Sequence, residues 1–263
     1  MKGVGCGVWG WSHARRAAIL SAVALAATAG VAAARVAAAR VEARASGSGS
    51  PAYHTPHPGV AVPRLAIARL QYDGGGDWYA NPSSIPNLLT AIAERTTLAV
   101  DRNEARVTLM DDRVWDYPFL HVTGHGNIHF SDEEVVRLRE YLTRGGFLHV
   151  DDNYGLDESF RREIARVFPD RPLVDVPLNH PIYHLVYDFP QGLPKIHEHD
   201  GKPARGFGIF IGDRLAVYYS YSSDLGNGWE DVGTYNDPPA LHEAALRMGV
   251  NLFVYAVTSR PTP

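Results

Sequence analysis

Short apolar runs alternate with helical patterns along most of the chain. Runs typical of buried strands occur at 65–72, 107–110, 119–123 and 147–150. Between and after them, segments 85–96, 131–143 and 157–167 show the features of helices. Strands that alternate with helices imply crossover connections, which join parallel strands. The pattern therefore predicts an α/β fold with a doubly wound, mostly parallel sheet.

Start and stop signals delimit two of these helices. Ser131 and Glu134 have the spacing of a capping box, and Gly145 and Gly146 follow at the other end, where glycine ends helices. Asp157 stands at the start of the next helical segment. We expect its side chain to cap that helix.

The last third of the chain has a different pattern. The apolar runs 207–211 and 215–220 flank Gly212 and Asp213, a pair typical of a β-hairpin. An antiparallel edge to the sheet is therefore expected. Pro238 and Pro239 then open a final helix. Its apolar residues recur on one face, which predicts a core stripe, and they are Leu241, Ala245, Met248, Leu252 and Tyr255.

Composition limits the domain count and the partners. The chain has 263 residues, 45% of them hydrophobic, which suffices for one well-buried domain, predicted at 64–258. A formal net charge of -4 gives no electrostatic reason to bind nucleic acid or an anionic membrane surface. Cys6 is the only cysteine and lies ahead of this domain, so the domain has no thiolate nucleophile.

The first 63 residues read as export and linker sequence. Lys2, Arg15 and Arg16 precede an Ala-rich apolar run at 17–34, the layout of a signal peptide at 1–34. The alternative is an uncleaved N-terminal anchor, the one case in which a membrane partner is expected, although a run of about 18 residues barely spans a bilayer. Residues 35–63, with repeated Ser, Gly and Pro, predict a flexible linker. We expect export to the periplasm or the outside.

Two polar clusters directly follow predicted strands, where open parallel sheets bind their ligands. In the first, Gly124 and Gly126 flank His125 and let the backbone approach a ligand. In the second, Asp151 and Asp152 are adjacent carboxylates, which repel each other unless a cation, a donor network or a raised pKa relieves them. His125, Asp151 and Asp152 are therefore candidates for catalysis and for binding a divalent metal. The alternative is that the carboxylates cap a helix or bind loop amides.

Other histidines are weaker candidates. His180, a candidate for ligand or metal binding, is four residues from His184, but Pro181 interrupts a helix there. His197 and His199 would face the same way in a strand, as in some metal sites, but their charged surroundings also suit a surface loop.

The polar loop after the last strand adds further candidates. Asp224, Trp229 and Glu230 lie there as candidate ligand-binding residues, and such loops often close over a ligand. His121 and His149 alternate with apolar neighbours inside strands, so we expect them to be buried histidines of the sheet.

Several stretches together resemble domain-of-unknown-function family 4159. They include 117–120, 123–126, 145–148, 151–152, 179–181, 219–220, 223–226, 229–230, 249–252 and 255–256. The resemblance implies a fold similar to class I glutamine amidotransferases, with a flavodoxin-like sheet and a reactive residue on the turn after the 147–150 strand. Amidotransferases carry cysteine at that turn, whereas this chain has Asp151 and Asp152. The resemblance therefore implies the fold without the amidotransferase chemistry.

Three hypotheses follow. The first is an exported, noncatalytic or ligand-binding domain whose crevice contains His125, Asp151, Asp152, His180 and Asp224, with or without a divalent metal. The second is a hydrolase in which Asp151 or Asp152 is the base, His125 its partner and a metal-bound water the nucleophile. The third is a structural interaction module of an envelope complex. The partner would be a small molecule or an envelope protein, and the sequence leaves this choice open.

Overall fold

The computed structural model describes residues 65–259. The strands are β1 Ile67–Leu70, β2 Ala105–Val107, β3 Phe119–Val122, β4 Phe147–Asp151, β5 Val174–Asp175, β6 Arg205–Ile211 and β7 Arg214–Tyr221. The α-helices are α1 Ser84–Arg95, α2 Asp132–Thr143, α3 Asp157–Val167, α4 Leu225–Gly228 and α5 Pro239–Thr258, and 3-10 helices cover Asp112–Asp116 and Pro181–Tyr183. The predicted signal peptide and linker lie outside the described residues.

The described strands form one sheet in the order β2-β1-β3-β4-β7-β6-β5. Strands β2, β1, β3, β4 and β7 run parallel to one another, whereas β6 is antiparallel to β7 and β5 is antiparallel to β6. The hairpin turn between β6 and β7 has Gly212 at φ +61, a conformation that glycine adopts without strain. The predicted α/β fold with an antiparallel edge hairpin is confirmed, and it is consistent with a flavodoxin-like fold.

Helices cover both faces of the sheet. On one face, α2 and α3 pack through residues such as Leu138 and Phe160 against Leu148 of β4. On the other face, α1 and α5 pack through Leu88 and Leu252 and their neighbours. Successive strand residues point to opposite faces, so each central strand supplies both cores. The two cores fix the parallel strands in place, and because these strands are parallel, their carboxyl ends lie at one edge of the sheet.

Helix α5 begins as predicted, with Pro239 in its first turn. Its predicted apolar stripe is core: Ala245, Met248, Leu252 and Tyr255 are buried, and Leu241 packs against the same cluster. Between residues 65 and 259, none of the helices combines the length and the apolarity that a bilayer crossing requires.

Two local predictions are wrong. The strand predicted at 107–110 ends at Val107, because the chain turns there and Asp111 caps the following 3-10 helix. Asp157 is the first residue of α3 and does not cap it. The backbone amide of Leu156 instead donates to the carboxylate of Asp152, which closes the turn that leads into α3. The capping box of Ser131 and Glu134 is formed as predicted.

A buried arginine fixes the loop after β1. Arg69 is 0% exposed, and its guanidinium donates to the carbonyls of Ala80 (2.6 Å) and Asn81 (2.9 Å) and to Glu104 (3.0 Å). Burial lowers its pKa, which the neighbouring carboxylate of Glu104 opposes. Because these hydrogen bonds fix the positions of the loop carbonyls, Arg69 holds this loop at the carboxyl edge of the sheet.

Replacing Arg69 by Ala should lower the free energy of unfolding by on the order of 3–5 kcal/mol, since Glu104 then loses its buried partner. Arg106→Ala is the matched control: Arg106 pairs with the other oxygen of Glu104, at 2.7 Å, but its side chain is 52% exposed. It should cost about 1 kcal/mol or less. Urea unfolding followed by circular dichroism measures both values. Equal losses in the two variants would contradict the anchoring role of Arg69.

Candidate functional site

The carboxyl ends of β3, β4 and β7 carry most of the polar candidates. Asp151 ends β4 and pairs in register with Ser220 of β7, so the turn after β4 lies beside the segment after β7. The residues that follow these strands form the walls of the candidate site, as expected for an open parallel sheet.

Asp151 connects β4 to that segment. It is 0% exposed, and one carboxylate oxygen accepts hydrogen bonds from Ser220 Oγ (2.6 Å) and the amide of Leu225 (3.0 Å). The other oxygen accepts from the amide of Gly226 at 2.6 Å. A Cβ at Gly226 would lie 2.9 Å from that oxygen, so only glycine allows the approach. Burial and the nearby carboxylate of Asp224 raise the pKa of Asp151 to about 7.

Asp152 closes the turn after β4. Its Oδ1 accepts from the amides of Tyr154 (3.1 Å) and Leu156 (3.0 Å), and Tyr219 donates its hydroxyl to Oδ2 at 3.1 Å. Only 4% of the residue is exposed, and burial raises its pKa. The sequence left open whether this carboxylate is catalytic or binds loop amides, and in the structure it binds loop amides.

A chain of buried polar side chains extends from Asp151 under the sheet edge. Ser220 Oγ lies 3.0 Å from His149 Nε2, and His149 Nδ1 lies 3.0 Å from His121 Nδ1. Both histidines are 0% exposed, as predicted, and the ring of Trp229 covers them at centroid distances of 5.6 and 5.5 Å. Burial lowers the pKa of His149 to about 3 and the pKa of His121 well below its ordinary value. Both imidazoles are therefore neutral.

His125 has a different partner from the one expected. Its side chain is 52% exposed, and Nδ1 lies 3.1 Å from the carboxylate of Asp77. Its backbone amide donates to the same carboxylate. Gly124 serves loop packing, since a Cβ there would clash with the hydroxyl of Tyr72. His125 therefore pairs with Asp77 rather than with Asp151 or Asp152.

The expectation that His180 belongs to the crevice is wrong. Its ring lies 5.3 Å from that of Tyr255, whose hydroxyl accepts from the amide of Leu215 near the start of β7. Asp151, in contrast, pairs with Ser220 near the end of β7. His180 is therefore at the opposite edge of the sheet, where its Nδ1 accepts from the amide of Ile182.

Trp229 and Glu230 are structural neighbours of the site. Trp229 is 0% exposed and donates from Nε1 to the carbonyl of Ala245 at 2.8 Å. Glu230 is 4% exposed and accepts from the amide of Ser83 at 2.9 Å. They fasten the segment after β7 to α5 and α1.

Three atoms that could bind a metal ion lie close together, one each from His197, His199 and Asp224. Asp224 Oδ2 lies 2.7 Å from His199 Nε2 and 3.0 Å from His197 Nδ1, and the three atoms lie within 4.8 Å of one another. The other ring nitrogen of His197 lies 2.9 Å from the carboxylate of Asp237. Hydrogen bonding to Asp224 raises the pKa of His197. The sequence marked the two histidines and Asp224 separately, but no sequence signal joined them or included Asp237.

A cavity of about 330 Å³ opens beside His199. Its wall is formed by the turn after β4, the start of α3 and the segments around Asp200 and Tyr221, namely Asp152, Tyr154, Gly155, Asp157, Glu158, His199, Asp200, Lys202, Tyr221 and Ser222. Tyr154 was not predicted. It is 52% exposed, stacks on His199 at 5.1 Å, and has φ +91, a strained value for a residue with a side chain. Such strain is frequent at binding sites.

The cavity wall is acidic. It carries four carboxylates and one lysine, and Lys202 is paired with Asp200 at 2.7 Å. Asp157 is paired with Arg161, whose guanidinium lies over the rings of Phe207 and Tyr219. Glu158 is exposed in the first turn of α3. The balance of charge disfavours an anion in the cavity.

The neutral state of His149 should make stability depend on pH. Between pH 3 and 6.5 the unfolded chain binds a proton at this histidine and the folded chain does not, so its contribution to stability falls as pH falls below 6.5. The raised pKa of Asp151 acts oppositely, with a contribution that is complete at low pH and lost as pH rises toward 7. From pH 6.5 to 5.0, His149→Gln should therefore lose about 2 kcal/mol less stability than the unmodified chain.

Urea unfolding at the two pH values measures this difference. His242→Gln, a substitution on α5 outside the network, is the control and should follow the unmodified chain. Equal pH dependence in all three proteins would contradict a neutral, buried His149.

Comparison with known proteins identifies the family. The model of the domain of unknown function DUF4159 matches residues 66–257, which is nearly the whole described region. No curated protein matches the chain. The family match covers every strand and helix that forms the candidate site. The chain therefore belongs to the DUF4159 family, a domain family of unknown function.

Proposed function

We propose that the chain is an exported domain that binds a small molecule in the cavity beside Tyr154 and His199. The observation that carries the proposal is this cavity of about 330 Å³ at the carboxyl edge of the sheet, with a strained, exposed tyrosine stacked on a histidine in its wall. Its volume lies in the range of small-molecule pockets. Strain at Tyr154 costs stability and is retained where the side chain must be presented to a ligand.

The charge of the wall indicates the class of ligand. The carboxylates Asp152, Asp157, Glu158 and Asp200 outnumber Lys202, and the two carboxylates paired with Lys202 and Arg161 still offer acceptor oxygens. Acceptors of this kind suit hydroxyl and ammonium donors. The ligand is therefore a polar molecule that is neutral or positively charged.

The proposal includes the finer fold assignment and the compartment. The parallel order around β4 is compatible with the amidotransferase-like fold that the family resemblance implies, and Asp151 and Asp152 occupy the turn where an amidotransferase has its cysteine. Asp151 and Asp152 are buried and accept hydrogen bonds from the protein, which supports a noncatalytic turn. The layout of residues 1–34 supports export.

A cavity-filling substitution tests the binding proposal. Ligand-observed NMR of the full chain with a library of polyols, amines and carboxylic acids should give hits among the polyols or amines. Glu158→Trp should weaken those hits at least tenfold, because the indole fills the cavity. Glu133→Trp, an exposed substitution in the first turn of α2, is the matched control and should leave them unchanged.

Two outcomes would count against the proposal. One is that the polyols or amines bind Glu158→Trp as well as they bind the unmodified chain, provided that thermal unfolding shows the variant to be folded. The other is binding confined to the carboxylic acids.

Metal-assisted hydrolysis is the second candidate. It is favoured by the convergence of His197, His199 and Asp224 next to the cavity, rather than by Asp151 or Asp152, whose oxygens already accept hydrogen bonds. Three protein ligands and one open position is the usual composition of a hydrolytic zinc site.

Assays of the full chain with chromogenic esters, phosphoesters and glycosides, with and without added Zn²⁺, test this candidate. Turnover should depend on zinc and be lost in His199→Ala. Zinc-independent turnover, or turnover that His199→Ala retains, would contradict it.

A further inference from the structure

We infer that His197, His199 and Asp224 bind one divalent transition-metal ion of the zinc type. The inference deepens the proposed ligand-binding function, because His199 lines the same cavity, but metal binding is measurable without any ligand. It replaces the metal candidates suggested by the sequence, His125, Asp151, Asp152 and His180, which the fold does not bring together in one cluster.

The distances suit a metal ion. His199 Nε2 and His197 Nδ1 lie 2.7 and 3.0 Å from the same oxygen of Asp224. Ligand atoms about 2.0–2.2 Å from a tetrahedral zinc ion lie roughly 3.4 Å apart. Small side-chain movements therefore place all three atoms around one ion. Other imidazole–carboxylate contacts in the described region, such as those of His125 and His184, are single pairs with an exposed partner.

Asp224 supplies a second, independent observation. It is 0% exposed, and its Oδ1 is buried without a hydrogen-bond partner among the described residues. Its ion pairs are to the two imidazoles and not to lysine or arginine. A buried carboxylate with an unsatisfied oxygen is costly unless a cation compensates it.

The contacts of His197 point to the same cation. Its Nδ1 faces Asp224 Oδ2 at 3.0 Å, which requires a proton on Nδ1, but it also faces the amide nitrogen of Asn227 at 3.0 Å, which requires a lone pair. A metal ion bound by Nδ1 and Asp224 lets Nδ1 keep its lone pair without repelling the carboxylate. Asn227 Oδ1 is also buried and unpartnered, and a half-turn of the amide would offer this oxygen at the same point.

Asp237 orients the histidine. It lies 2.9 Å from Nε2 of His197, so Nε2 donates its proton and Nδ1 is left to bind the metal. Metal-binding histidines commonly have such a carboxylate partner on the other ring nitrogen. Asp237 is therefore a positioning residue of the proposed metal site.

The donor set selects the metal class. Two imidazole nitrogens and one carboxylate oxygen suit zinc and similar transition ions, whereas calcium and magnesium prefer oxygen ligands throughout. Three protein ligands leave a coordination position open. Because His199 lines the cavity, the ion would lie beside the molecule that we propose binds there.

Metal titration of the full chain, without an affinity tag and after treatment with a chelator, tests the inference. Competition with a chromogenic chelator measures Zn²⁺ binding, and the visible spectrum of Co²⁺ reports its coordination. We expect one ion per chain. His199→Ala should weaken zinc binding at least 100-fold, and Asp237→Asn should weaken it 10–100-fold.

Two controls separate this site from other histidines. His184→Ala removes an exposed histidine paired with Asp188, and a double substitution of His54 and His57 removes the two histidines of the predicted linker. Both proteins should bind zinc as the unmodified chain does. Circular dichroism verifies that every variant is folded.

The inference is overturned if the folded chain binds no zinc, or if stoichiometric binding survives His199→Ala. Failure of the metal site and failure of ligand binding remain distinguishable. If the unmodified chain binds polyols or amines but no zinc, the metal site alone is overturned. If it binds zinc but none of these small molecules, the ligand proposal alone is overturned.

Discussion

The buried carboxylate of Asp151 is the interaction on which the edge of the sheet depends. Removing a carboxylate from water costs several kcal/mol unless donors replace the water. Here the hydroxyl of Ser220 and the amides of Leu225 and Gly226 replace it. Those amides directly follow Asp224, which has the left-handed conformation at φ +66. Asp151 therefore fixes the backbone that presents Asp224 to His197 and His199.

The same carboxylate belongs to a polar layer inside an otherwise apolar face. His149 and Asp151 are two residues apart on β4 and so point to the same side, and His121 occupies the neighbouring position on β3. Trp229 covers both imidazoles and is itself held by α5. The layer connects the core under α1 and α5 to the site. Burial lowers the pKa of both histidines and raises the pKa of Asp151, so all three groups favour the uncharged state.

Much of the fold could be predicted from the sequence because the signals are local. The capping box at Ser131 and the prolines at the start of α5 depend on neighbouring residues, and each strand or helix shows its own periodicity. The position of Asp151 and Asp152 at the sheet edge followed from the rule that parallel strands end together. Their partners did not follow, because hydrogen bonds to Tyr219 and Ser220 span more than sixty residues of sequence.

The remainder of the candidate site depends on long-range geometry. His197 and His199 lie on a segment without regular secondary structure, and they meet Asp224 only because β7 returns beside β4. The same geometry separates His180 from the site, since its segment packs at the start of β7 near Tyr255. Sequence periodicity cannot predict that His197 and His199 approach Asp224 or that His180 lies far from it. It describes which residues share a face of one helix or strand, and not which segments pack together.

The turn after β4 explains how the exposed site differs from the one that the family resemblance implied. A nucleophile on that turn would need a free, accessible side chain, yet Asp151 and Asp152 are each tied by three hydrogen bonds within the protein. The next exposed side chain is that of Tyr154, whose strained backbone directs it onto His199. The two carboxylates of the turn therefore serve to hold β4, β7 and α3 together. The groups available to a ligand lie to one side, between Tyr154 and the imidazoles that surround Asp224.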